Sequence, residues 1–205
     1  MDYEKIAIET AEDVYEPSED SELASEMISD YLSEIEENKD KLNVLDLGTA
    51  TGILGIFAAA NMKAGKVTFA DINPKAVKLA EINARGNRGS EDVELSFVET
   101  DLFSKIHSDK YDLMIFNAPY LRSEENRKMD DRRWSGGKEG VELSIRFLES
   151  SVLHLKKDGR IILVLSSLSN IELLKENMDR LGLKTFKELK KHYFFEDILV
   201  WLLGL

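Results

Sequence analysis

Apolar and polar positions alternate along the chain with two different periods, and this alternation predicts an α/β fold. Apolar runs short enough for buried strands lie at positions 42–47, 66–71, 93–98, 111–116 and 160–165. Stretches with helical spacing lie at 52–62, 73–85, 141–155 and 170–181. Two more runs, near 183–190 and 195–202, predict a closing pair of strands. Strands that alternate with helices are typical of a doubly wound, mostly parallel sheet.

The first 40 residues predict a helical flap in front of this core. Ser18 or Asp20 is placed to cap an amphipathic helix that runs to about residue 36. Residues 1–40 contain 15 acidic and 2 basic side chains, whereas residues 41–205 contain 24 acidic and 25 basic ones. We therefore interpret residues 1–205 as a single domain, with an acidic N-terminal segment (1–40) on a nearly neutral α/β core (41–205).

Composition argues against several classes of protein. The chain has no cysteine and three scattered histidines, so no metal site is expected. No apolar run is long enough to cross a bilayer and no secretory signal opens the chain, so a cytoplasmic protein is expected. Direct nucleic-acid binding is disfavoured, because the one small basic cluster is interleaved with acidic residues; it comprises Arg122, Arg127, Lys128, Arg132 and Arg133. That cluster is either a solvated loop or a docking patch for a substrate.

The turn after the first predicted strand has the composition of a ligand-binding turn. Asp46 lies near the end of the strand and is followed by Gly48 and Gly52. Glycine at this place lets the backbone approach a ligand. A dinucleotide fingerprint would need two more glycines, where Ala50 and Ile53 stand, so a nicotinamide site is disfavoured. An acidic group here would accept hydrogen bonds from an amino-acid ammonium and would repel a diphosphate.

Acidic residues also follow the second and third predicted strands. Asp71 is placed to take both hydroxyls of a ribose, although a capping or turn aspartate would look the same in the sequence. Asp101 could accept from the amino group of an adenine, while Leu102 donates its backbone N–H to the ring. Three acidic strand ends in successive β-α units predict a pocket for a nucleoside with a cationic amino-acid tail.

The strongest chemical signal closes the fourth predicted strand, in the run Asn117-Ala118-Pro119-Tyr120. Pro119 biases Ala118 toward an extended conformation. The Ala118 carbonyl and the Asn117 side-chain oxygen can then point into one cleft, where two adjacent acceptors suit a planar –NH2 group. Tyr120 would supply a flat wall against the same group. The alternative is a plain strand-to-loop turn.

Together these residues resemble the class I methyltransferases that modify nitrogen on planar amides or nucleobases. More narrowly, the sequence is similar to the HemK-type glutamine methyltransferases of translation release factors, in their short archaeal and eukaryotic branch. The segments that carry this likeness are Val14-Tyr15-Glu16-Pro17-Ser18-Glu19-Asp20-Ser21, Asp71-Ile72-Asn73-Pro74-Lys75-Ala76 and Trp134-Ser135-Gly136-Gly137-Lys138-Glu139-Gly140. The resemblance extends from about residue 14 to the final strands.

The resemblance implies a Rossmann-like sheet of seven strands and S-adenosylmethionine as the methyl donor, with S-adenosylhomocysteine as product. It assigns Asp46 and Gly48 to the methionine end of the cofactor, Asp71 to the ribose, and Asp101 with Leu102 to the adenine. Ser21 would lie over the cofactor, and Asn117 would hold the substrate amide. It also implies a class I release factor as substrate, hence a role in translation termination, and a small zinc-binding activator protein as partner. The family usually has glycine at Ala50 and a second proline at Ala118.

Several alternatives stay open from the sequence. A nucleic-acid N-methyltransferase would use the same acceptor pair for an exocyclic amino group. A lysine methyltransferase fits less well, because a tetrahedral ammonium matches a planar acceptor pair poorly. A non-catalytic scaffold that binds the cofactor for stability alone would not need Asn117 and Tyr120.

Overall fold

Seven strands form one sheet in the computed structural model, which describes residues 3–35, 41–63, 65–87, 92–107, 109–120 and 137–205. The strands are β1 (Leu42–Leu47), β2 (Gly65–Asp71), β3 (Val93–Glu99), β4 (Tyr111–Asn117), β5 (Leu155–Ser166), β6 (Lys184–Tyr193) and β7 (Glu196–Gly204). Their order in the sheet is β3-β2-β1-β4-β5-β7-β6. The first five strands pair in parallel and β7 is antiparallel to both β5 and β6. The predicted doubly wound, mostly parallel fold is therefore confirmed.

Five helices cover the two faces of this sheet. They are α1 (Glu19–Glu34), α2 (Ile53–Asn61), α3 (Pro74–Gly86), α4 (Glu142–Ser151) and α5 (Ile171–Leu181). Buried side chains of α1, α2 and α3 form one apolar core with one face of the sheet, and those of α4 and α5 form a second core on the other face. None of the helices within the described ranges is long and apolar enough to cross a membrane.

Helix α1 is the predicted N-terminal helix, and it packs on the sheet rather than standing apart from it. Its apolar side chains Leu23, Met27 and Ile28 are buried against α2 and strands β4 to β7. The Tyr31 hydroxyl donates to the Asp112 carbonyl at 3.1 Å. Ser18 is the N-cap residue, yet its side chain makes no capping hydrogen bond. The start of α1 is therefore stabilised by other contacts, which also define the site described below.

Two predicted boundaries were wrong near the end of the chain. The fourth predicted helix ends at Ser151, and β5 begins at Leu155 instead of residue 160. Leu155 pairs with Tyr111 across an irregularity in the register, and Lys156 forms an ion pair with Asp112 at 2.7 Å. These long-range contacts hold 155–159 in the sheet, although Asp158-Gly159 has the composition of a turn.

The second wrong boundary is the start of the last strand. Phe195 was predicted to begin it, but β7 begins at Glu196, and Phe194 and Phe195 form the two-residue connection of the β6–β7 hairpin. Aromatic residues favour strands by composition, so nothing local marks this pair as a turn.

Candidate active site

The carboxyl ends of β1, β2 and β4, together with the segment after β3, surround a cleft of about 810 Å³, and residues 13–21 complete its wall. This is the edge where the strand order reverses between β1 and β4, the usual position of a ligand site in an open α/β sheet. The predicted site residues on the wall of the cleft are Ser21, Asp46, Gly48, Asp71, Asp101, Leu102, Asn117, Ala118, Pro119 and Tyr120. Gly52 is the exception, because it lies at the N-cap of α2 and packs against Ala80.

The turn between β1 and α2 is held by the buried Asp46 carboxylate. Its Oδ2 atom accepts from the Thr49 hydroxyl at 2.5 Å and from the Gly55 N–H at 2.9 Å. Gly48 has a φ of 66° and Ala50 a φ of 49°. The left-handed conformation explains why glycine would be favoured at Ala50. The Ala50 N–H donates to Asp71 Oδ2 at 3.0 Å, and this bond helps to hold Ala50 in its strained conformation.

Burial disfavours the ionised form of both Asp46 and Asp71. Burial raises the pKa of Asp46 from 3.8 to about 7, with a smaller contribution from the negative charge of Asp71. Burial also raises the pKa of Asp71, against the hydrogen bonds that it accepts from the N–H groups of Asn73 and Ala50. A cation placed between them would stabilise both charged forms, so the site is electrostatically suited to a positively charged ligand.

For S-adenosylhomocysteine, the product that the resemblance implies, we expect an affinity that rises with pH as Asp46 ionises. Each pH unit below a pKa lowers the ionised fraction by up to about ten-fold, so binding at pH 6 should be several-fold weaker than at pH 7.5. The same raised pKa makes Asp46 favour folding below its ordinary pKa of 3.8, a contribution that is lost as pH rises to about 7. Asp46→Asn should therefore reduce both pH dependences, as measured by calorimetry and by thermal unfolding of the ligand-free protein. An unchanged slope of affinity with pH in Asp46→Asn would contradict this role.

On the β3 side of the cleft the structure adds contacts that the sequence did not predict. Leu102 has a φ of 47°, and the carbonyl of this residue accepts from the Thr100 hydroxyl at 3.1 Å. Asp101 forms a 3.5 Å ion pair with Arg146 of α4, which the sequence analysis did not identify. Ile72, also missed, lies on the cleft wall with 65% of its surface exposed. Its apolar side chain is suited to cover the face of a planar ring.

Asn117 and Tyr120 are joined to Asp20, which lies nearly 100 positions earlier in the chain. Asn117 Nδ2 and the Tyr120 hydroxyl each donate to Asp20 Oδ2 at 3.1 Å. Because a carboxylate accepts only, these contacts turn the Asn117 oxygen away from Asp20. Ala118 is 2% exposed and lies between them. Burial and the neighbouring Asp20 carboxylate raise the pKa of Tyr120, so its hydroxyl stays protonated and donates.

Asp20 accepts more hydrogen bonds than any side chain singled out from the sequence. Besides Asn117 and Tyr120, its donors are the Tyr15 hydroxyl at 2.8 Å, the Ser18 hydroxyl at 2.9 Å, and the Ser21 N–H and hydroxyl at 2.6 and 3.1 Å. The sequence analysis named Asp20 only as a possible helix cap. Its carboxylate instead connects the first turn of α1 to the end of β4. The signal in the sequence that could have identified Asp20 was its place within residues 14–21, a segment that carries the family resemblance.

A second unpredicted residue, Asn83 of α3, connects the N-terminal segment to the turn after β1. Its amide exchanges hydrogen bonds with the Glu9 N–H and carbonyl at 2.8 and 3.0 Å. Its Nδ2 also donates to the Thr51 carbonyl at 2.9 Å. One helical turn later, Asn87 makes the same paired contact with Ala7. These asparagines hold the extended chain that leads to the cleft residues 13–21.

Replacing Asn83 by alanine is expected to weaken binding of S-adenosylhomocysteine, the ligand that the resemblance implies, about ten-fold. The buried groups that lose their partners cost about 1–3 kcal/mol each, and the segment that closes the cleft becomes less ordered. Calorimetry would compare the Kd of the wild type with those of Asn83→Ala and of Asn87→Ala, which changes a more exposed asparagine. The second variant, which does not touch the Thr51 turn, should bind nearly as well as the wild type. Equal, wild-type affinity in both variants would contradict the role of Asn83.

Two motifs from the sequence analysis fall outside the described residues. One is the basic cluster of Arg122, Arg127, Lys128, Arg132 and Arg133. The other is Trp134-Ser135-Gly136, the first part of the segment 134–140 that carries the family resemblance. Gly137 and Glu142, just beyond them, lie on the cleft wall.

Comparison with known proteins places this chain in a family. The family model described as the methyltransferase small domain matches residues 7–193. A Methanocaldococcus jannaschii protein, provisionally named a protein N5-glutamine methyltransferase, is 36% identical over 98% of this chain and 96% of its own. A release factor glutamine methyltransferase of Fusobacterium nucleatum is 36% identical over 58% of this chain. The matched region covers 32% of that longer protein.

Solved structures share the fold. One is the E. cuniculi Mtq2–Trm112 complex, which is responsible for methylation of the translation termination factor eRF1. It matches with a TM-score of 0.64 and 23% identity over 93% of this chain and 98% of that one. A Pyrococcus furiosus methyltransferase matches with a TM-score of 0.66 and 19% identity over 96% and 88%.

Proposed function

Because the chain belongs to the methyltransferase small domain family, we propose that it transfers a methyl group from S-adenosylmethionine to the side-chain nitrogen of a glutamine. The acceptor that we propose is the Gly-Gly-Gln motif of a translation release factor, in the cytoplasm. The observation that carries the proposal is the Asn117 amide, whose nitrogen is bonded to Asp20 and whose oxygen is thereby left for a donor in the cleft. Names of relatives from Methanocaldococcus and Fusobacterium support the choice of glutamine.

The acidic cleft fits the proposed cofactor. S-adenosylmethionine carries an ammonium and a sulfonium, and the two described hydrogen bonds to Asp46 both fall on Oδ2, which leaves Oδ1 for the ammonium. Asp71 would take the ribose hydroxyls. Asp101 and the Leu102 N–H would contact the adenine, with Ile72 against the ring. Gly48 keeps the backbone close to the methionine end, Gly52 supports the turn from behind, and Ser21 closes the cleft from α1.

The chain's own residues would act on the acceptor by position and charge. When bound, the cofactor supplies an electrophilic methyl group on its sulfonium. Asn117 Oδ1 and the Ala118 carbonyl would each accept a hydrogen bond from the –NH2 group of the substrate amide. These two hydrogen bonds would stabilise the positive charge that develops on the amide nitrogen. Tyr120 would form the wall beside the amide plane, and Pro119 would fix the turn. Because six donors already occupy Asp20, the proton would leave to water.

A small zinc-binding activator is the partner that we propose, on the β3 edge of the sheet. Among the described strands β3 pairs with β2 alone, and its Leu95, Phe97 and Val98 side chains are half-buried. The opposite edge, β6, carries four lysines, a composition that discourages strand addition, whereas β3 carries none. The partner in the E. cuniculi Mtq2–Trm112 complex provides the precedent.

Transfer of labelled methyl groups tests the proposed function. The protein, with and without a candidate activator, is incubated with methyl-labelled S-adenosylmethionine and a recombinant class I release factor. A second release factor has its Gly-Gly-Gln glutamine replaced by alanine. We expect label in the first protein and none in the second. Label in added RNA, with the release factor unlabelled, would instead identify a nucleic-acid methyltransferase. S-adenosylhomocysteine, but not NAD, should raise the thermal unfolding temperature.

A further inference from the structure

The tip of the β6–β7 hairpin exposes two large aromatic side chains that the proposed chemistry does not use. Phe194 and Phe195 are 87% and 92% exposed. Tyr193 pairs with Glu196, so the two phenylalanines form the whole connection between the strands. Two-residue connections of this kind favour asparagine and glycine. Phe194 has a φ of 49°, a strained conformation for a bulky side chain.

This tip lies at the same edge of the sheet as the cleft. Strands β6 and β7 meet where β5 ends, which is the carboxyl edge of the parallel strands. Glu196, directly after the tip, lies on the cleft wall and its carboxylate accepts from the Ser166 hydroxyl. The loop after β5 also makes a hydrogen bond to the segment that follows β4, because the Ser169 hydroxyl donates to the Tyr120 carbonyl at 3.1 Å. The aromatic tip therefore continues the wall that holds Asn117 and Tyr120.

The surroundings of the tip do not suit a nucleic acid. Lys190 and His192 contact Asp197 at 2.6 and 2.8 Å, and Lys191 lies 3.9 Å from Glu22. These cations are already paired with acidic groups, and the adjoining cleft wall is itself acidic. A phosphate backbone would find no clustered positive charge among the described residues of this face. Base stacking on the phenylalanines would then lack the electrostatic attraction that normally accompanies it.

The size of the tip also argues against a stable pair of identical chains. Two aromatic side chains bury roughly 150–250 Å² each. A stable interface buries about 800 Å² on each partner. The tip therefore suits a small anchoring contact that adds to binding in the cleft, since a few buried aromatic anchors carry much of the energy of such contacts.

We propose that Phe194 and Phe195 form a docking site for the methyl-accepting protein, binding apolar surface beside its acceptor loop. This inference rests on the proposed function, because it needs a protein acceptor that reaches the cleft next to Glu196. A free acceptor loop would fill the cleft alone, whereas the folded acceptor protein would also contact the tip. The tip thus selects the folded protein over a short peptide of the same sequence.

Kinetics with two acceptors test the docking site. The variant Phe194→Gly/Phe195→Ser removes both rings and relieves the positive φ. Its control, Leu153→Ser, removes a side chain that is 69% exposed just before β5, at the opposite edge of the sheet. The acceptors are a recombinant class I release factor and a short peptide that carries its Gly-Gly-Gln loop. Calorimetry with S-adenosylhomocysteine verifies that each variant is folded and binds ligand.

For the hairpin variant we expect KM for the release factor to rise about ten-fold with kcat nearly unchanged, and the kinetics with the peptide to stay as in the wild type. The control should match the wild type with both acceptors. Equal KM for the release factor in wild type and hairpin variant would overturn the docking site and leave the proposed function intact. Wild-type protein that labels no release factor, with the candidate activator present, would overturn the proposed function and the docking site with it. Loss of self-association or of RNA binding in the variant, with KM unchanged, would assign the tip to those partners instead.

Discussion

Replacing Asn117 by alanine is expected to lower turnover roughly 10³-fold, the largest loss in kcat that this account predicts. The substitution removes the side-chain acceptor that we propose for the substrate amide, and it leaves the acidic groups at the ends of β1 and β2 in place. Asp20 keeps its other donors, which come from Tyr15, Ser18, Ser21 and Tyr120, so the start of α1 should stay where it is. The Kd of S-adenosylhomocysteine should therefore change less than about three-fold, since the hydrogen bonds that hold Asp46 and Asp71 do not involve Asn117.

A matched control for Asn117→Ala is Asn170→Ala, because Asn170 caps α5 and takes no part in the proposed chemistry. This control should lose some stability and keep its kcat. Single-turnover kinetics and calorimetry separate the two effects. If Asn117→Ala lost cofactor affinity in proportion to turnover, the side chain would belong to the cofactor site and its assignment as substrate acceptor would be wrong.

Replacing Asp20 by asparagine is expected to lower kcat roughly 10²-fold, although Asp20 would not touch the acceptor. An amide has one oxygen in place of two, so several of the six donors would lose their partner, and each buried donor left unpaired costs about 1–3 kcal/mol. Asn117 would no longer be held with its nitrogen toward α1, and its side-chain amide could flip, which would exchange the positions of its oxygen and nitrogen. Asp20 thus acts as a positioning residue for the acceptor pair.

A spectroscopic readout distinguishes positioning from a general loss of stability in Asp20→Asn. Burial and, after it, the Asp20 charge raise the pKa of both Tyr15 and Tyr120, so these two tyrosines should ionise at lower pH in the variant. Asp30→Asn on the same helix removes a partly exposed carboxylate paired with Lys187, and it should change neither kcat nor the tyrosine titration. Wild-type kcat in Asp20→Asn would contradict the positioning role.

The parts of this fold that could be predicted from sequence are those that local pattern determines. Each central strand is a continuous apolar run, and Asn73-Pro74 marks the start of α3 with an N-cap that accepts from the Lys75 N–H. The acidic strand ends could be recognised for the same reason, because a parallel sheet brings its carboxyl ends to one edge. Residues that follow successive strands therefore meet in one cleft without any further information.

The parts that sequence did not reveal depend on contacts between distant segments. Asp20 meets Asn117 only after α1 has packed on the sheet, and Asn83 meets Glu9 only after the N-terminal segment has folded back over α3. The early start of β5 depends in the same way on its pairing with Tyr111. A local reading of Asp20 finds a helix cap, because the composition of a cap and of this buried carboxylate is the same.

Ala118 shows how the structure sharpens a departure from the family pattern. It is 2% exposed and lies between two residues bonded to Asp20. We expect its backbone to be held by those neighbours, so the carbonyl acceptor does not depend on a second proline. Ala50 is the more costly departure, since its φ of 49° is unfavourable for any residue with a Cβ atom.

The most direct test of the central claim is to locate the transferred methyl group by mass spectrometry. A class I release factor is incubated with the wild-type protein, with Asn117→Ala or with Asn170→Ala, each with S-adenosylmethionine and a candidate activator, and its peptides are then mapped. The account predicts one methyl group on the side-chain nitrogen of the Gly-Gly-Gln glutamine with the wild type and with Asn170→Ala, and almost none with Asn117→Ala. A methyl group on a lysine or on RNA, with the glutamine unmodified, would contradict it.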